Sequence, residues 1–376
     1  MRIGIGLVGY GQMGKVHAYA YRALPFYYDP LPAELELVGV SSRSESSAKK
    51  GMEQGGFRFY TTDYHKLIER DDIDLIDVCL PNWQHAEVVV AALKAGKSVY
   101  CEKPLAQDLR QAEEIVNVAR KSPGKKQIVS EYRFLPSVMT ARELIQKGFL
   151  GRFFHFRGVY LHSGYIDPER QVSWRLQKSL AGGGALFDLG PHILDLMMHL
   201  VGIPVSICAA TSTFIRERPT VKGSKNKVKV DVDDATTMLM LFARDGLGYV
   251  EVSRFATGSE DDLRFEINGS RGAISFSLMD PNWLNVFNNR EKEPRGFKKL
   301  ATVQKYPPPA AMPPPKSSIG WIRSHVASQY SLINSIATNK EASPDFEDAL
   351  KVHMIMDAAY RSASSGRWER VLRSGR

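Results

Sequence analysis

Short apolar runs alternate with segments of helical spacing over the N-terminal part of the chain. The apolar runs predict β-strands at residues 3–8, 35–40, 75–80, 98–101 and 127–129. Between them, apolar residues recur every three to four positions, which predicts helices at residues 15–24, 46–54, 85–95 and 109–121. Alternation of this kind predicts an α/β domain with a parallel sheet covered by helices on both faces.

The pattern changes after about residue 132, where longer stretches of alternating polarity take over. They predict strands at residues 153–161, 235–243, 248–255, 263–267 and 273–277. Asp245-Gly246 and Asn268-Gly269 are typical hairpin turns. A final helix is predicted at residues 346–364. We therefore expect a second, α+β domain with a large, mostly antiparallel open sheet.

A glycine-rich turn follows the first predicted strand and leads into the first predicted helix. Its residues are Gly9, Tyr10, Gly11, Gln12, Met13 and Gly14. Glycines at this junction let backbone amides approach a pyrophosphate, and the helix N-terminus supplies partial positive charge. The context predicts a Rossmann dinucleotide-binding domain at residues 1–131, with 132–376 as a substrate-binding and oligomerisation domain. The alternative is a purely structural turn.

Composition excludes several classes of protein. No apolar run in the 376 residues approaches the roughly 20 needed to span a bilayer. The N-terminus lacks the order of regions found in a signal peptide, so we expect a cytoplasmic protein. Cys79, Cys101 and Cys208 are widely spaced, which predicts free thiols, no disulfide framework and no metal.

The net charge of +9 raises the question of an anionic partner. Much of the excess lies in a basic segment at residues 216–229, where no aromatic side chains are interleaved. We interpret this segment as a solvated loop and expect no nucleic-acid partner. The proline runs at 307–309 and 313–315 predict an extended connection.

The end of the second predicted strand bears on the choice of cofactor. An acidic side chain there would hold the ribose 2′-hydroxyl of NAD(H), but this chain has Ser42 and Arg43 instead. Without a carboxylate, nothing repels a 2′-phosphate, and Arg43 can pair with it. We therefore expect NADP(H), with NAD(H) as the alternative. Arg43 is otherwise simply a solvated loop residue.

Two further loops leave the carboxyl ends of predicted strands. They carry the motifs LPNWQH at residues 80–85 and CEKPLA at 101–106. Together with GYGQMG followed by His17, and GGGALFDLGPH at 182–192, these motifs strongly resemble the Gfo/Idh/MocA oxidoreductases, which include glucose–fructose oxidoreductase and inositol dehydrogenase. The similarity continues through DVDDATTMLMLF, FEINGSRGAISF and DAAYRSASSGRW, and so spans nearly the whole chain.

The resemblance implies that Lys103 is catalytic and that Glu102 contacts the nicotinamide ribose. It also implies that the residues of the first loop line the same half-site: Leu80, Pro81, Asn82 and His85. Oxidation of a secondary alcohol requires a proton acceptor for the hydroxyl, and a lysine serves when burial or nearby cations lower its pKa. The alternative is a surface lysine in a loop.

Asp188 and His192 match the family's second catalytic pair. Pro191 is expected to start a helix, which leaves Asp188 just outside it and His192 in its first turn. A capping aspartate and an ordinary structural histidine are the alternative. Trp174 and Arg175 resemble the sugar-side residues of sugar-using relatives, although a core tryptophan is equally consistent with the sequence.

Arg133 is a further candidate substrate contact. It follows Glu131 and Tyr132, where family members often carry Asn before Tyr-Arg, so the substrate contacts at this corner depart from the family pattern.

The resemblance, together with these residues, implies an NAD(P)-dependent enzyme that moves hydride between nicotinamide and a secondary alcohol or ketone of a sugar, inositol or related cyclic polyol. Two alternatives are a glycosidase that uses the same redox step transiently, and a non-catalytic NADP(H)-binding sensor. We also expect a homo-oligomer, a dimer or tetramer, because a broad open sheet usually has its exposed face covered.

Overall fold

The computed structural model describes residues 1–293, 295–314 and 316–371. These residues form two compact units. The first comprises Met1–Phe134 and Gln304–Leu350, and the second comprises Leu135–Val303 and the described residues from Lys351 onward.

Helices occur in both units. In chain order, α1–α11 are Gln12–Tyr27, Glu45–Gly55, His65–Ile68, His85–Lys94, Leu109–Ala119, Pro136–Gln146, Lys178–Ala181, Ala185–Asp188, Gly190–Val201, Ile322–Thr338 and Phe346–Ser365. Short 3₁₀ turns lie at Asn82–Gln84, Glu131–Phe134, Trp174–Leu176 and Ala243–Asp245. None of the helices in the described ranges is both long and apolar enough to cross a membrane.

Six strands of the first unit form a parallel sheet. Strands β1–β6 are Arg2–Val8, Glu34–Ser41, Phe59–Thr61, Leu75–Val78, Ser98–Cys101 and Lys126–Ile128. Their spatial order is β3-β2-β1-β4-β5-β6, and each neighbouring pair is parallel. This is the strand order of a doubly wound dinucleotide-binding sheet, so the predicted N-terminal fold class is confirmed. The short β3 was missed because its three residues carry no periodic signal.

The core of the first unit draws on a distant part of the chain. Val326, Leu332 and Ile333 of α10 are buried in one apolar cluster with Ile3 and Leu24. Residues 304–350 therefore pack with the N-terminal segment, whereas the sequence pattern predicts a single second domain at 132–376. The difference arises because a return of the chain to an earlier unit leaves no local pattern in the sequence.

The second unit is built on a nine-stranded sheet within the described residues. Strands β7–β17 of the chain are Phe153–Leu161, Ser206–Ser212, Glu217–Pro219, Lys227–Lys229, Ala235–Leu241, Leu247–Ser253, Asp262–Gly269, Gly272–Ser277, Trp283–Asn288, Lys298–Ala301 and Glu369–Arg370. The sheet order is β16-β15-β14-β13-β7-β12-β11-β8-β17. Only the β7–β12 pair is parallel, so the predicted mostly antiparallel sheet is confirmed.

The basic segment at 216–229 is not the solvated loop that we expected. It forms a two-stranded hairpin of β9 and β10. Arg218 is buried, and its guanidinium donates to the backbone carbonyls of Tyr165 and Asp167. Charge density alone could not distinguish this buried arginine from its solvated neighbours. In the second proline run, Pro315 lies outside the described residues.

Candidate functional site

The glycine turn after β1 requires glycine at two of its positions. Gly9 has a φ of +100°, and a Cβ there would lie 2.3 Å from the carbonyl oxygen of Cys79. A Cβ on Gly14 would lie 2.1 Å from the carbonyl oxygen of Gly9. A Cβ on Gly11 would meet nothing within 4 Å, so the space beside this residue is open. The turn thus combines tight local packing with an open approach to its backbone.

The N-terminus of α1 has features of an anion site. Gly11 is its N-cap and supplies no side-chain hydrogen bond, and the first turn, which includes Gln12 and Met13, has no acidic residue. The first amides of this 16-residue helix are therefore not capped by a side chain. Tyr10 is buried in an apolar cluster with Leu7, so the turn presents its backbone. This arrangement fits the pyrophosphate of a dinucleotide.

The end of β2 is polar and carries no acid. The Ser42 hydroxyl donates to the Ser47 hydroxyl at 3.0 Å, and Arg43 is exposed. Ser44 caps α2 by accepting the backbone N–H of Ser47. The first acid after the strand, Glu45, accepts a hydrogen bond from the Tyr60 hydroxyl.

His85 links the two loops that follow β4 and β5. It is fully buried, with Nε2 2.7 Å from the carbonyl oxygen of Leu80 and Nδ1 2.8 Å from that of Pro104. Burial lowers the pKa of His85, against the influence of these carbonyls. The neutral ring has a single N–H, so it can donate to only one of these two carbonyls. Pro81 is half-buried, and Asn82 is buried at the start of the 3₁₀ turn.

Glu102 and Lys103 follow β5 directly. Glu102 is buried, and its Oε2 accepts the backbone N–H of Lys103 at 3.2 Å. Its Oε1 lies 3.1 Å from Nε2 of His17. Burial raises the pKa of the Glu102 carboxyl, but the hydrogen bond and charge of His17 more than offset this, so the pKa is lower than usual. Lys103 is half-buried beside this ionised group.

His17 follows the glycine motif, and the sequence predicts no role for it. It is fully buried in α1, and its Nδ1 lies 2.9 Å from both carboxylate oxygens of Asp77. The Sγ of Cys79 lies 3.2 Å from the same nitrogen. The heteroatoms of this group are close enough together to be considered as metal ligands, but hydrogen bonds account for the spacing. The sequence signal was a polar residue, Asp77, inside an otherwise apolar strand.

Asp188 and His192 lie in the second unit. Asp188 ends α8, and His192 is buried in the first turn of α9, which has Pro191 at its start. The His192 ring packs edge-on against Tyr160, with ring centroids 5.5 Å apart. The two residues therefore lie on successive short helical segments, rather than on one face of a single helix.

Arg254 lies outside every motif that the sequence offers. It is buried directly after β12, and its Nη2 donates to Oδ2 of Asp188 at 3.1 Å. Its Nη1 donates to the backbone carbonyl of Arg175 at 3.3 Å, and the guanidinium lies 4.8 Å from the ring centroid of Tyr165. Burial lowers the pKa of Arg254, but the charge of Asp188 leads the influences that raise it above its usual value. The available signal was an arginine that breaks the alternation at the end of a strand.

The glycines before α8 are held by Asp233. Its carboxylate accepts the backbone N–H groups of Gly184 and Leu186, each at 2.9 Å. A Cβ on Gly184 would lie 1.8 Å from the carbonyl oxygen of Asp233, and one on Gly183 would lie 2.2 Å from the Tyr360 hydroxyl. Close packing explains these glycines, and it fixes the segment that ends in Asp188.

The remaining predicted residues have separate surroundings. Trp174 is half-buried in a 3₁₀ turn, and the exposed Arg175 guanidinium lies 4.3 Å from the centroid of its ring. Arg133, in the first unit, is buried and donates to the Asp348 carboxylate at 3.0 Å. Arg133 is therefore already engaged in an ion pair.

Comparisons with known proteins agree with these features. Residues 3–130 match the profile of the oxidoreductase family with an NAD-binding Rossmann fold, and residues 138–275 match that of the GFO/IDH/MocA C-terminal domain. Levoglucosan dehydrogenase from Pseudarthrobacter phenanthrenivorans is 34% identical over 97% of both chains. Inositol 2-dehydrogenase from Rhizobium meliloti is 26% identical over 98% of both.

Solved structures give the same relationship. A levoglucosan dehydrogenase in complex with NADH and levoglucosan superposes with a TM-score of 0.95 at 34% identity, covering 99% of this chain and 100% of that one. The similarity extends through both units. The chain therefore belongs to the Gfo/Idh/MocA family of oxidoreductases, as its motifs predicted.

Proposed function

We propose that this protein is a nicotinamide-dependent dehydrogenase that oxidises a secondary alcohol of a sugar or cyclic polyol, or reduces the corresponding ketone. The observation that carries the proposal is the end-to-end similarity to levoglucosan dehydrogenase, at 34% identity over 97% of both chains. Inositol 2-dehydrogenase, whose named substrate is a cyclic polyol, is the second supporting relative. Neither relative favours a redox-recycling glycosidase or a sensor.

In this proposal, the first unit binds the cofactor. The pyrophosphate is held by the amides at the N-terminus of α1 and in the turn from Gly9 to Gly14. The Glu102 carboxylate accepts a hydrogen bond from a ribose hydroxyl. Leu80, Pro81 and Asn82 line the nicotinamide side. His85 lies between the two loops, with one ring nitrogen beside a backbone carbonyl of each, and is proposed to position them. The bound nicotinamide supplies or accepts the hydride.

Lys103 is the proposed acid–base. In oxidation its neutral amine takes the proton of the substrate hydroxyl as hydride leaves the carbon, and in reduction its ammonium returns that proton. The backbone N–H of Lys103 donates to the Glu102 carboxylate, and this hydrogen bond restrains the backbone from which the lysine side chain extends. The position of the amine is thus coupled to the residue proposed to hold the ribose.

Asp188 and His192 are the proposed assistants. Arg254 stabilises the carboxylate form of Asp188, which suits it to accept a hydrogen bond from a substrate hydroxyl. His192 lies in the first turn of α9 with its ring against Tyr160, and it is proposed to relay a proton. Trp174, Arg175 and Arg133 remain proposed sugar contacts, with Arg133 available only if its pair with Asp348 opens.

The cofactor preference is a separate part of the proposal. The levoglucosan dehydrogenase structures hold NADH, so NAD(H) is the first cofactor to test. Our preference for NADP(H) depends on the end of β2, where Ser42 and the exposed Arg43 leave a 2′-phosphate unopposed by any nearby strand-end acid.

A homo-oligomer is also proposed. Leu239, Leu241 and Leu247 are exposed on one face of the nine-stranded sheet, and the last two are cross-strand partners. A second copy of the chain covering this face would remove the apolar surface from water. Light scattering of the wild type and of Leu239→Lys tests this, since loss of a dimer or tetramer in the variant is expected. The predicted cytoplasmic location stays a prediction.

The decisive assay follows nicotinamide absorbance with levoglucosan, inositols and common sugars, using NAD⁺ and NADP⁺ in parallel. The proposal expects net reduction of one cofactor by at least one polyol. Turnover of a glycoside without net absorbance change would support the recycling glycosidase. Cofactor binding without turnover of any substrate would instead favour the sensor.

A further inference from the structure

Three buried ionisable side chains of the first unit form a continuous hydrogen-bonded network. His17 comes from α1, Asp77 from β4, and Glu102 from the end of β5. The ring of His17 lies between the carboxylates, with Nδ1 2.9 Å from Asp77 and Nε2 3.1 Å from Glu102. All three side chains are at least nine-tenths buried. Isolated charges are rarely buried this deeply, so their pairing calls for an explanation.

The hydrogen bonds constrain where protons can lie among these three groups. An ionised carboxylate can only accept hydrogen bonds, so a ring flanked by two of them must donate from both nitrogens. A neutral imidazole has one N–H and would leave one carboxylate facing a lone pair. Two carboxylates and one imidazolium carry a net charge of −1, whereas the neutral ring would leave −2 in the core.

We propose that His17 is a positioning residue: an imidazolium, hydrogen-bonded on both sides, that fixes the Glu102 carboxylate in the orientation needed to bind the nicotinamide ribose. Asp77 anchors the far side of the ring. This inference rests on the proposed function, because Glu102 is assigned its ribose contact there. It adds a role for His17 and Asp77, which need not touch cofactor or substrate.

The surroundings of His17 favour this charge state. Burial lowers its pKa, but the charge of Asp77 leads the influences that outweigh burial and raise the pKa well above its usual value. Burial raises the pKa of the Cys79 thiol, which therefore stays protonated and donates to Asp77. The other titratable groups that face or influence the cluster are Tyr21 on α1, His85 on α4, Tyr100 and Cys101 on β5, Lys103 after β5, and His325 on α10.

The protonation state can be read directly from the apoprotein. In a long-range ¹H–¹⁵N spectrum of protein labelled in its histidine rings, the His17 signals are those missing from the His17→Gln variant. We expect both ring nitrogens to be protonated at pH 7.5, together with downfield N–H protons. One unprotonated nitrogen at this pH would overturn the proposal. If His17→Gln does not fold, Asp77→Asn provides the assignment through the shift of the same signals.

The positioning role is tested by a double-mutant cycle on NADH affinity. His17→Gln and Glu102→Gln should each weaken binding about 10-fold, and the double variant should be no weaker than Glu102→Gln alone, because His17 acts through Glu102. The matched control is Gln329→Met, which removes the amide that donates to the backbone carbonyl of His17 at 3.3 Å but leaves its ring untouched. This control should bind NADH within about twofold of the wild type.

The possible outcomes distinguish a failure of the positioning role of His17 from a failure of the proposed function. Additive losses in the cycle, or an equal loss in Gln329→Met, would show that His17 supports the fold generally and would refute the positioning role. A wild-type protein that binds neither NADH nor NADPH would refute the proposed function itself. If His17→Gln fails to fold, Asp77→Asn takes its place in the cycle with the same expectation.

Discussion

Each unit holds one carboxylate of the proposed site against a buried basic side chain, but the two basic side chains differ in kind. Glu102 is paired with His17, which also serves Asp77. Asp188 is paired with Arg254, whose second nitrogen binds a backbone carbonyl. Histidine can lose its charge within the range of pH used in solution, whereas arginine cannot.

The difference teaches what each carboxylate can be used for. Glu102 belongs to the hydrogen-bonded network with His17 and Asp77, so its charge and orientation depend on a proton that the His17 ring can lose. Asp188 depends on a permanent charge, and the same guanidinium ties it to the backbone of Arg175 in the 3₁₀ turn. The first pair is thus suited to holding a cofactor hydroxyl, and the second to coupling a carboxylate to a loop.

The largest expected effect on turnover is that of Lys103, because neither the Glu102–His17 pair nor the Asp188–Arg254 pair can take over its role as proton acceptor. Lys103→Met should lower kcat by about 10³-fold, because the proton acceptor for the hydroxyl is lost. The Kd for NADH should change little, since Glu102 and His17 remain in place. Steady-state kinetics and fluorescence titration measure the two quantities. Retained turnover would exclude Lys103 as the acid–base, and a parallel loss of NADH binding would mean that it belongs to the cofactor site instead.

The next largest effect is expected for substitutions of Arg254. Two variants can distinguish the contribution of its hydrogen bond to Asp188 from that of its hydrogen bond to the backbone of Arg175. Arg254→Met should lower kcat/KM about 100-fold, equivalent to about 2.7 kcal/mol, because Asp188 loses its partner. Arg254→Lys keeps the charge but not the forked geometry. We expect it to restore much of kcat while KM stays high, since the tie to the turn at Arg175 is still missing.

The matching structural measurement is thermal unfolding of the three proteins. Equal kinetic losses in Arg254→Lys and Arg254→Met, with unchanged melting temperatures, would contradict a role based on charge. In that case the forked geometry alone would matter.

The comparison also shows where sequence reasoning succeeded. Strand β5 and the last helix begin at the predicted residues, and the glycine turn follows β1, because each is encoded by a short contiguous pattern. Asp188 and His192 flank the start of α9, since proline at a first helical position is a local signal. Elements of this kind are specified by neighbours along the chain.

The partners of the two carboxylates could not be found in this way. His17 and Glu102 are 85 residues apart, and Asp188 and Arg254 are 66 apart. Arg254 breaks the alternation at the end of its strand, and Asp77 interrupts a strand, but neither position indicates which distant residue it faces. Such pairs depend on how sheets bring distant strand ends together, and this information is absent from local periodicity.

The third prediction uses pH to distinguish the two cations. The folded pKa of His17 lies above its unfolded value of about 6.5, so its stabilisation is complete below pH 6.5 and is lost as the pH rises towards the folded value. The limiting slope is about 1.4 kcal/mol per pH unit. Arg254 stays charged throughout.

The melting-temperature difference between wild type and His17→Gln should therefore shrink between pH 6.5 and 9. The corresponding difference for Arg254→Met should stay constant over the same range. Scanning fluorimetry at closely spaced pH values measures both. Parallel behaviour of the two variants would remove the distinction between a titratable and a permanent partner.

The smallest effect is expected at the surface, where charge is screened by water and salt. Ser42→Asp should weaken NADPH binding about 10-fold relative to NADH, because a carboxylate at the end of β2 repels a 2′-phosphate and accepts a 2′-hydroxyl. Ser42→Asn is the matched control, since it has nearly the same size without the charge, and should change the ratio little.

The salt dependence of this effect then shows whether it arises at the exposed surface or, like the losses at the buried pairs, is protected from screening. The Debye length falls from about 10 Å at 0.1 M to about 3 Å at 1 M salt, so the discrimination against NADPH caused by Ser42→Asp should weaken as salt is added. The losses in Arg254→Met and His17→Gln should persist, because their partners are buried. An NADPH affinity that Ser42→Asp leaves unchanged would remove the basis for a 2′-phosphate site at Arg43, and NAD(H) would then be the assigned cofactor.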